Sequence, residues 1–152
     1  MKVALDTNIL ACAEGVNGAE RQATTCGWLE AAPIGEVVIP AQALGELFDV
    51  LVRKAGRPPV DANAAVLAWR NAYPVIDSSA DVVLQATRLV MQHRLGTWDA
   101  VILAAASAAG CGMLLSEDLQ DGFTWGGVTV VNPYVAPQGE GRPVRLPAWL
   151  SD

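Results

Sequence analysis

The stretch Lys2-Val3-Ala4-Leu5-Asp6-Thr7-Asn8-Ile9-Leu10 decides the fold. Its apolar run from Lys2 to Leu5 reads as a short strand. The run stops at Asp6-Thr7-Asn8, three residues whose short polar side chains suit the open N–H groups of a first helical turn. A helix from about Ile9 to Glu14 and another from about Gly18 to Ala31 follow. The same alternation continues outward. Glu36 to Ile39 is rich in β-branched residues and reads as a second strand. Pro40 then stands at a helix start, and Ala41 to Ala55 reads as a helix closed by Gly56.

Beyond Pro58-Pro59 the pattern predicts a helix over roughly Val60 to Ala72 and a short strand at Val75-Ile76. Ser79 to His93 carries Val82, Val83, Ala86, Leu89 and Val90 at helical spacing. Thr97 is the expected N-cap of a helix running to about Ala109, ended by Gly110 or Gly112. Met113 to Leu115 and Val128 to Val131 read as buried strands. From Pro133 onward prolines recur and apolar clusters are few, so the expectation is one domain over 1–132 and a proline-rich, extended tail over 133–152. Strands alternating with helices imply an α/β fold, a mostly parallel central sheet with helices on both faces. In such sheets sites gather at the carboxyl ends of the strands.

The 152 residues match one domain, and 52% of them are hydrophobic against 17% charged. Ordinary domains carry about 25% charged residues, so the composition excludes disorder for most of the chain and suggests that a partner covers some surface. The longest apolar stretch, Ala100 to Ala106, is far short of the ~18 residues of a membrane span. Asp6 interrupts the N-terminal apolar region and argues against an export signal. Cys12, Cys26 and Cys111 fit buried thiols in a reducing cytoplasm better than a disulfide framework. Net charge is −6, which by itself disfavours a broad nucleic-acid footprint.

The acids are placed less evenly than the composition suggests. Asp6 follows the first strand, and Ser116-Glu117-Asp118 follows Met113–Leu115 in the same way. A helix cap explains the first, and a solvated turn, with Asp121-Gly122 behind it, explains the second. Asp99 is harder to explain away. It lies in the first turn of a helix that is apolar almost all round, where a carboxylate is costly unless it is paired, hydrogen-bonded or metal-bound. A contact with the helix dipole is its ordinary explanation. Glu46 borders the apolar arc Leu44, Leu47, Phe48 and Leu51, near Arg53, where a surface glutamate is ordinary except in the company of the other three. Four acids with oxygen-only ligand chemistry suit Mg²⁺ or Mn²⁺. Two such ions would move the net charge to about −2.

Here the residues carry a family resemblance. Val3-Ala4-Leu5-Asp6-Thr7-Asn8-Ile9-Leu10 resembles the opening of PIN-domain ribonucleases, especially VapC-type toxins of toxin–antitoxin pairs. Leu44-Gly45-Glu46-Leu47 resembles their central helix, Trp98-Asp99-Ala100 with Val-Ile-Leu-Ala-Ala-Ala their third acidic motif, and Leu114-Leu115-Ser116-Glu117-Asp118-Leu119 their fourth. The four occur in the family's order over roughly residues 1 to 132. The resemblance implies a metal-dependent endoribonuclease that cleaves RNA by water attack, leaving a 5′-phosphate and a 3′-hydroxyl. It implies that Asp6, Glu46, Asp99 and Asp118 hold Mg²⁺ or Mn²⁺, while Thr7 and Ser116 supply hydroxyls that orient a carboxylate or the water. It also implies a homodimer silenced by an antitoxin protein. Glu117, Asp118 and Asp121 compete for the fourth acidic position, with Asp118, the second residue after the hydroxyl, preferred.

Other chemistries fit less well. A haloacid-dehalogenase-type phosphatase needs a second acid where Asn8 stands. A dinucleotide site needs a glycine-rich turn after the first strand, and none is there. His93 alone offers no triad for a cysteine nucleophile. The alternative from another class is a non-catalytic PIN-like domain that only dimerises or binds a protein. Two basic groups, Arg53-Lys54 with Arg57, and Arg88, His93 and Arg94, stand where helix C-termini favour cations. Some of them are candidates for contacts with RNA phosphates, with Arg53 and Arg57 the first to test. Trp98 is the tryptophan nearest the acids in sequence.

Overall fold

The computed structural model describes residues 1–135 and 144–151. In chain order the elements are β1 (Val3–Leu5), α1 (Thr7–Ala13), α2 (Ala19–Ala31), β2 (Val37–Pro40), α3 (Ala41–Arg53) and α4 (Pro59–Ala72). Then follow β3 (Val75–Ile76), α5 (Ala80–Gln92), α6 (Thr97–Ala108), β4 (Met113–Leu115), β5 (Thr124–Trp125) and β6 (Val128–Val131). The strands form one six-stranded sheet in the order β3-β2-β1-β4-β6-β5. Every pairing is parallel except β5 with β6. This is the α/β, mostly parallel architecture that the alternation of strands and helices predicts.

The strand order places a reversal where chemistry is expected. The chain builds outward from β1 through β2 to β3, then returns to the other side of β1 with β4. The β1–β4 boundary is therefore the topological switch point, outside whose carboxyl ends a crevice opens. Register does the rest. Leu5 pairs with Leu115, so the next residues on each strand, Asp6 and Ser116, must be neighbours. The Asp6 N–H donates to the Leu115 carbonyl at 3.0 Å, and the Ser116 N–H to that of Val131 at 3.0 Å.

The core is aliphatic and continuous. β1, β2, β4 and β6 are buried at every position, as strands covered on two sides should be. Ala100 through Ala106 of α6 are all buried, and this helix packs against β2, β4, β6 and α5. Small residues let it lie close to the sheet, which fixes where its first turn, with Asp99, meets the strand ends. Among the described residues no helix is long and apolar enough to cross a membrane.

Three local readings differ from the sequence expectation. Thr97 is the first helical residue of α6 and Gly96 is its N-cap. The hairpin strand β5 adds to the expected strands; Gly126 and Gly127, with φ of +57° and +81°, form the tight turn that pairs it with β6. Past 132, Ala148–Leu150 form a 3₁₀ turn rather than an extended end. Leu150 is buried there, and Trp149 Nε1 donates to Glu36 Oε2 at 2.6 Å. The proline-rich extension expected over 133–152 otherwise lies partly outside the described residues.

Candidate active site

Asp6 sits at the centre of the crevice and is 2% exposed. It is the N-cap of α1, and Oδ1 accepts the Thr7 N–H at 2.7 Å. Oδ2 accepts from Ser116 Oγ at 2.6 Å and from Asn8 Nδ2 at 3.3 Å. Ser116 also accepts the N–H groups of Asp118 and Leu119, at 3.2 and 3.3 Å. One hydroxyl thus fixes the Asp6 carboxylate and the turn that carries Asp118.

Glu46 reaches the same place from α3. Its Oε2 accepts from Thr7 Oγ1 at 3.0 Å and its Oε1 from Gln42 Nε2 at 3.0 Å. Gln42 lies one helical turn earlier on the same face, and its neutral amide orients the carboxylate without cancelling the charge. Arg53, the nearby base in the sequence, pairs instead with Asp49 at 2.6 Å. Asp99 enters from the first turn of α6 and is half-buried, and together with exposed Asp118 it lines a cavity beside the strand ends.

The acids feel one another. Burial pushes the Asp6 carboxyl up to about 6; hydrogen bonds from Ser116 and Thr7 oppose the rise, and the charges of Asp99 and Asp118 add to it. Asp99 is also pushed above the ordinary carboxylate range, first by burial and then by the charges of Asp118 and Glu46. Desolvation together with like charge disfavours ionisation, and a divalent cation among these groups would reverse both effects. Their oxygen-only donor set suits a hard cation. Among the described residues no three His, Cys, Asp or Glu side chains close into a ready-made cage. Of the four acids, Asp99 and Asp118 line the cavity, and an ion held by so few protein oxygens would keep several waters.

The three acids that compete for the fourth position have different surroundings. Asp118 lines the cavity with Asp99, and its charge raises both Asp6 and Asp99. Glu117 turns the other way, pairing with Arg21 of α2 and accepting from Cys12 Sγ at 3.3 Å. Asp121 accepts the Asn132 N–H at 2.9 Å and so supports the loop. Of the basic groups, Arg57 binds Glu14, the C-cap of α1, through Nη1 to Oε1 at 2.7 Å and Nη2 to the carbonyl at 2.8 Å. Arg53 is also paired, on the exposed face of α3, so both arginines of the first basic group have an acid of the chain beside them. His93 and Arg94 instead line the cavity at Asp99 and Asp118.

Sequence reasoning missed two contributors. Asn8 bridges the two strand-end loops, its amide nitrogen on Asp6 and its Oδ1 accepting the Glu117 N–H at 3.1 Å. Its place two residues after Asp6 was the available signal. Arg21 anchors the Glu117 side of the loop, stacked 4.3 Å from the Tyr134 ring centroid; no local pattern announces this long-range pairing.

The fold and site define an α/β domain with acids gathered at the switch point of a mostly parallel sheet, and comparison with known proteins gives that class a name. The PIN domain profile matches residues 3–120, and the chain belongs to the PIN domain family. No curated protein sequence matches it. Among solved structures the chain is similar to Mycobacterium tuberculosis VapC20, a sarcin–ricin-loop-cleaving toxin. The identity is 23% and the TM-score 0.65, over 77% of this chain and 90% of that one. It is similar to a toxin–antitoxin complex from Klebsiella pneumoniae, at 23% identity and TM-score 0.62 over 84% of this chain and 96% of that one. FitAcB from Neisseria gonorrhoeae matches at 18% identity and TM-score 0.59, over 87% and 98% of the two chains.

Proposed function

We propose that this PIN domain is a Mg²⁺- or Mn²⁺-dependent endoribonuclease and the toxin of a toxin–antitoxin pair. The observation that carries the reading is the electrostatic coupling of Asp6, Asp99 and Asp118, with Glu46 beside Asp99, at the carboxyl ends of β1 and β4. Such repulsion in a partly desolvated crevice is unfavourable for a scaffold and useful for a cation site. Asp6, Glu46, Asp99 and Asp118 would hold the ions. When bound, a divalent ion supplies Lewis-acid stabilisation of the phosphate and a more acidic water.

The chain's own residues do the positioning. Ser116 and the Thr7 N–H hold the Asp6 carboxylate, while Thr7 Oγ1 and Gln42 hold that of Glu46. Two carboxylates so fixed face the substrate without rearrangement, which favours the transition state. Water oxygen then bonds to phosphorus, an ionised carboxylate of the cluster accepts its proton, and the 3′ oxygen leaves and is protonated. The products are a 5′-phosphate and a 3′-hydroxyl.

The toxin assignment draws on relatives described as a sarcin–ricin-loop-cleaving toxin and as toxin–antitoxin complexes. An apolar cleft of about 300 Å³ between α2 and α4, lined by Leu29, Trp69, Ala72 and Tyr73, supports an antitoxin segment as partner. Exposed Leu84 and Met91 of α5 and Trp98 of α6 support a homodimer surface. The free thiols of Cys12, Cys26 and Cys111 support a reducing cytoplasm as its location.

The test is incubation of a labelled total-RNA pool with the purified chain in Mn²⁺, Mg²⁺ or EDTA, beside Asp99→Asn. Discrete fragments are expected with metal and wild-type protein only. Fragments that persist in EDTA would refute metal dependence. The absence of both fragments and Mn²⁺ binding would favour a non-catalytic interaction domain.

A further inference from the structure

Beside the acids lies a cavity of about 540 Å³, within the ~300–1,000 Å³ of small-molecule sites. Asp99 and Asp118 line it together with His93, Arg94, Gln120 and Phe123. These side chains differ in kind from the cluster. The His93 and Phe123 rings meet edge to face, with centroids 5.1 Å apart at 73°. Arg94 is exposed, and among the described residues it has no ion-pair partner within 4.0 Å, unlike Arg21, Arg53 and Arg57. Gln120 is exposed at the end of the turn that carries Asp118.

We propose that this cavity seats one nucleotide next to the scissile phosphate, its base on the His93–Phe123 wall and its phosphate on Arg94, with Gln120 reading the base edge. The chemistry of each residue matches one part of a nucleotide. An aromatic wall stacks any base, a guanidinium binds phosphate through parallel N–H groups, and an amide offers both donors and an acceptor. Single-stranded RNA exposes all three parts at once. Arg94, without an ion-pair partner among the described residues and beside two carboxylates, also resolves a charge problem, because a polyanion approaching Asp99 and Asp118 needs a nearby cation. His93 and Arg94 come from the α5–α6 link and Gln120 and Phe123 from the β4–β5 link, so two loops converge on one nucleotide and together determine base preference.

This inference rests on the endoribonuclease reading, and the test separates them. The full chain is titrated with each ribonucleoside 5′-monophosphate while amide chemical shifts are followed by NMR, and RNA cleavage is measured in parallel. The expected shifts fall on residues 93–96 and 118–123. Arg94→Ala should weaken all four nucleotides by about tenfold, Gln120→Ala should change their relative affinities, and Arg70→Ala, in the last turn of α4, should behave as wild type. Both test residues are exposed, and amide dispersion verifies folding. Shifts elsewhere, or an Arg94→Ala chain that binds like wild type, would overturn the subsite. Cleavage without these shifts sinks the subsite and leaves the nuclease standing. Shifts at the cavity without metal-dependent cleavage do the reverse.

Discussion

Replacing Asp6 by asparagine should make the metal-free protein more stable at neutral pH. Asp6 is 2% exposed, and burial raises its carboxyl from 3.8 to about 6. That difference corresponds to about 3 kcal/mol between the two protonation states. For an acid whose folded pKa is raised, the associated stability is fully present below about pH 4 and is lost as pH rises through about 6. The difference in unfolding free energy between Asp6→Asn and wild type should therefore grow by about 3 kcal/mol from pH 4 to pH 8 in EDTA. In melting temperature that is about 6–12 °C for a chain of this size. The change with pH is the readout, because the altered hydrogen bonds to Ser116, Asn8 and the Thr7 N–H contribute a nearly constant offset. Urea unfolding followed by tryptophan fluorescence at several pH values measures it. Mn²⁺ at a hundred times its Kd should restore about 2.7 kcal/mol to wild type and nothing to the variant. A difference that stays flat from pH 4 to pH 8 would refute the argument that Asp6 is held ionised at a cost.

Five further substitutions test other contacts. In RNA cleavage assays, Asp118→Asn should lower kcat at least about a hundredfold and Ser116→Ala by about ten- to a hundredfold. Glu117→Gln should stay close to wild type, since Glu117 faces Arg21. Arg57→Ala should cost about 1 kcal/mol in urea unfolding through its partly exposed pair with Glu14, and should leave the salt dependence of RNA binding unchanged. Gly126→Ala should cost about 1–3 kcal/mol with an unaltered m-value, because φ is +57° and the new methyl would collide with Ser107 Oγ.

Most of the scaffold was legible because period and punctuation agreed. Pro40, Pro58-Pro59 and Gly110 mark ends that the structure keeps, and the all-apolar stretch Ala100–Ala106 is buried as a helix packed on the sheet should be. Asp6 and Asp99 were legible for a physical reason: each is a charge where the surrounding pattern is apolar. Glu46 was legible only through the company of the other acids and the family resemblance, since its link to the site runs through Thr7, 39 residues away, and a surface glutamate looks the same in sequence. The ranking of Glu117 against Asp118 likewise depends on where Arg21 sits, a tertiary fact. The β5–β6 hairpin was hidden because a two-residue strand carries no period, and the commitment of Arg57 to Glu14 because helix-end cations look alike before they find partners.

The central claim is that the acid cluster directs water at an RNA phosphate, and the chemistry of the new RNA ends tests it most directly. Total cellular RNA treated with the purified chain and Mn²⁺ or Mg²⁺ should yield new 5′-phosphate ends at defined sites, and these should vanish with Asp6→Asn and with EDTA. New 5′-hydroxyl ends paired with cyclic phosphates, or 5′-phosphate ends that persist in both controls, would contradict the account.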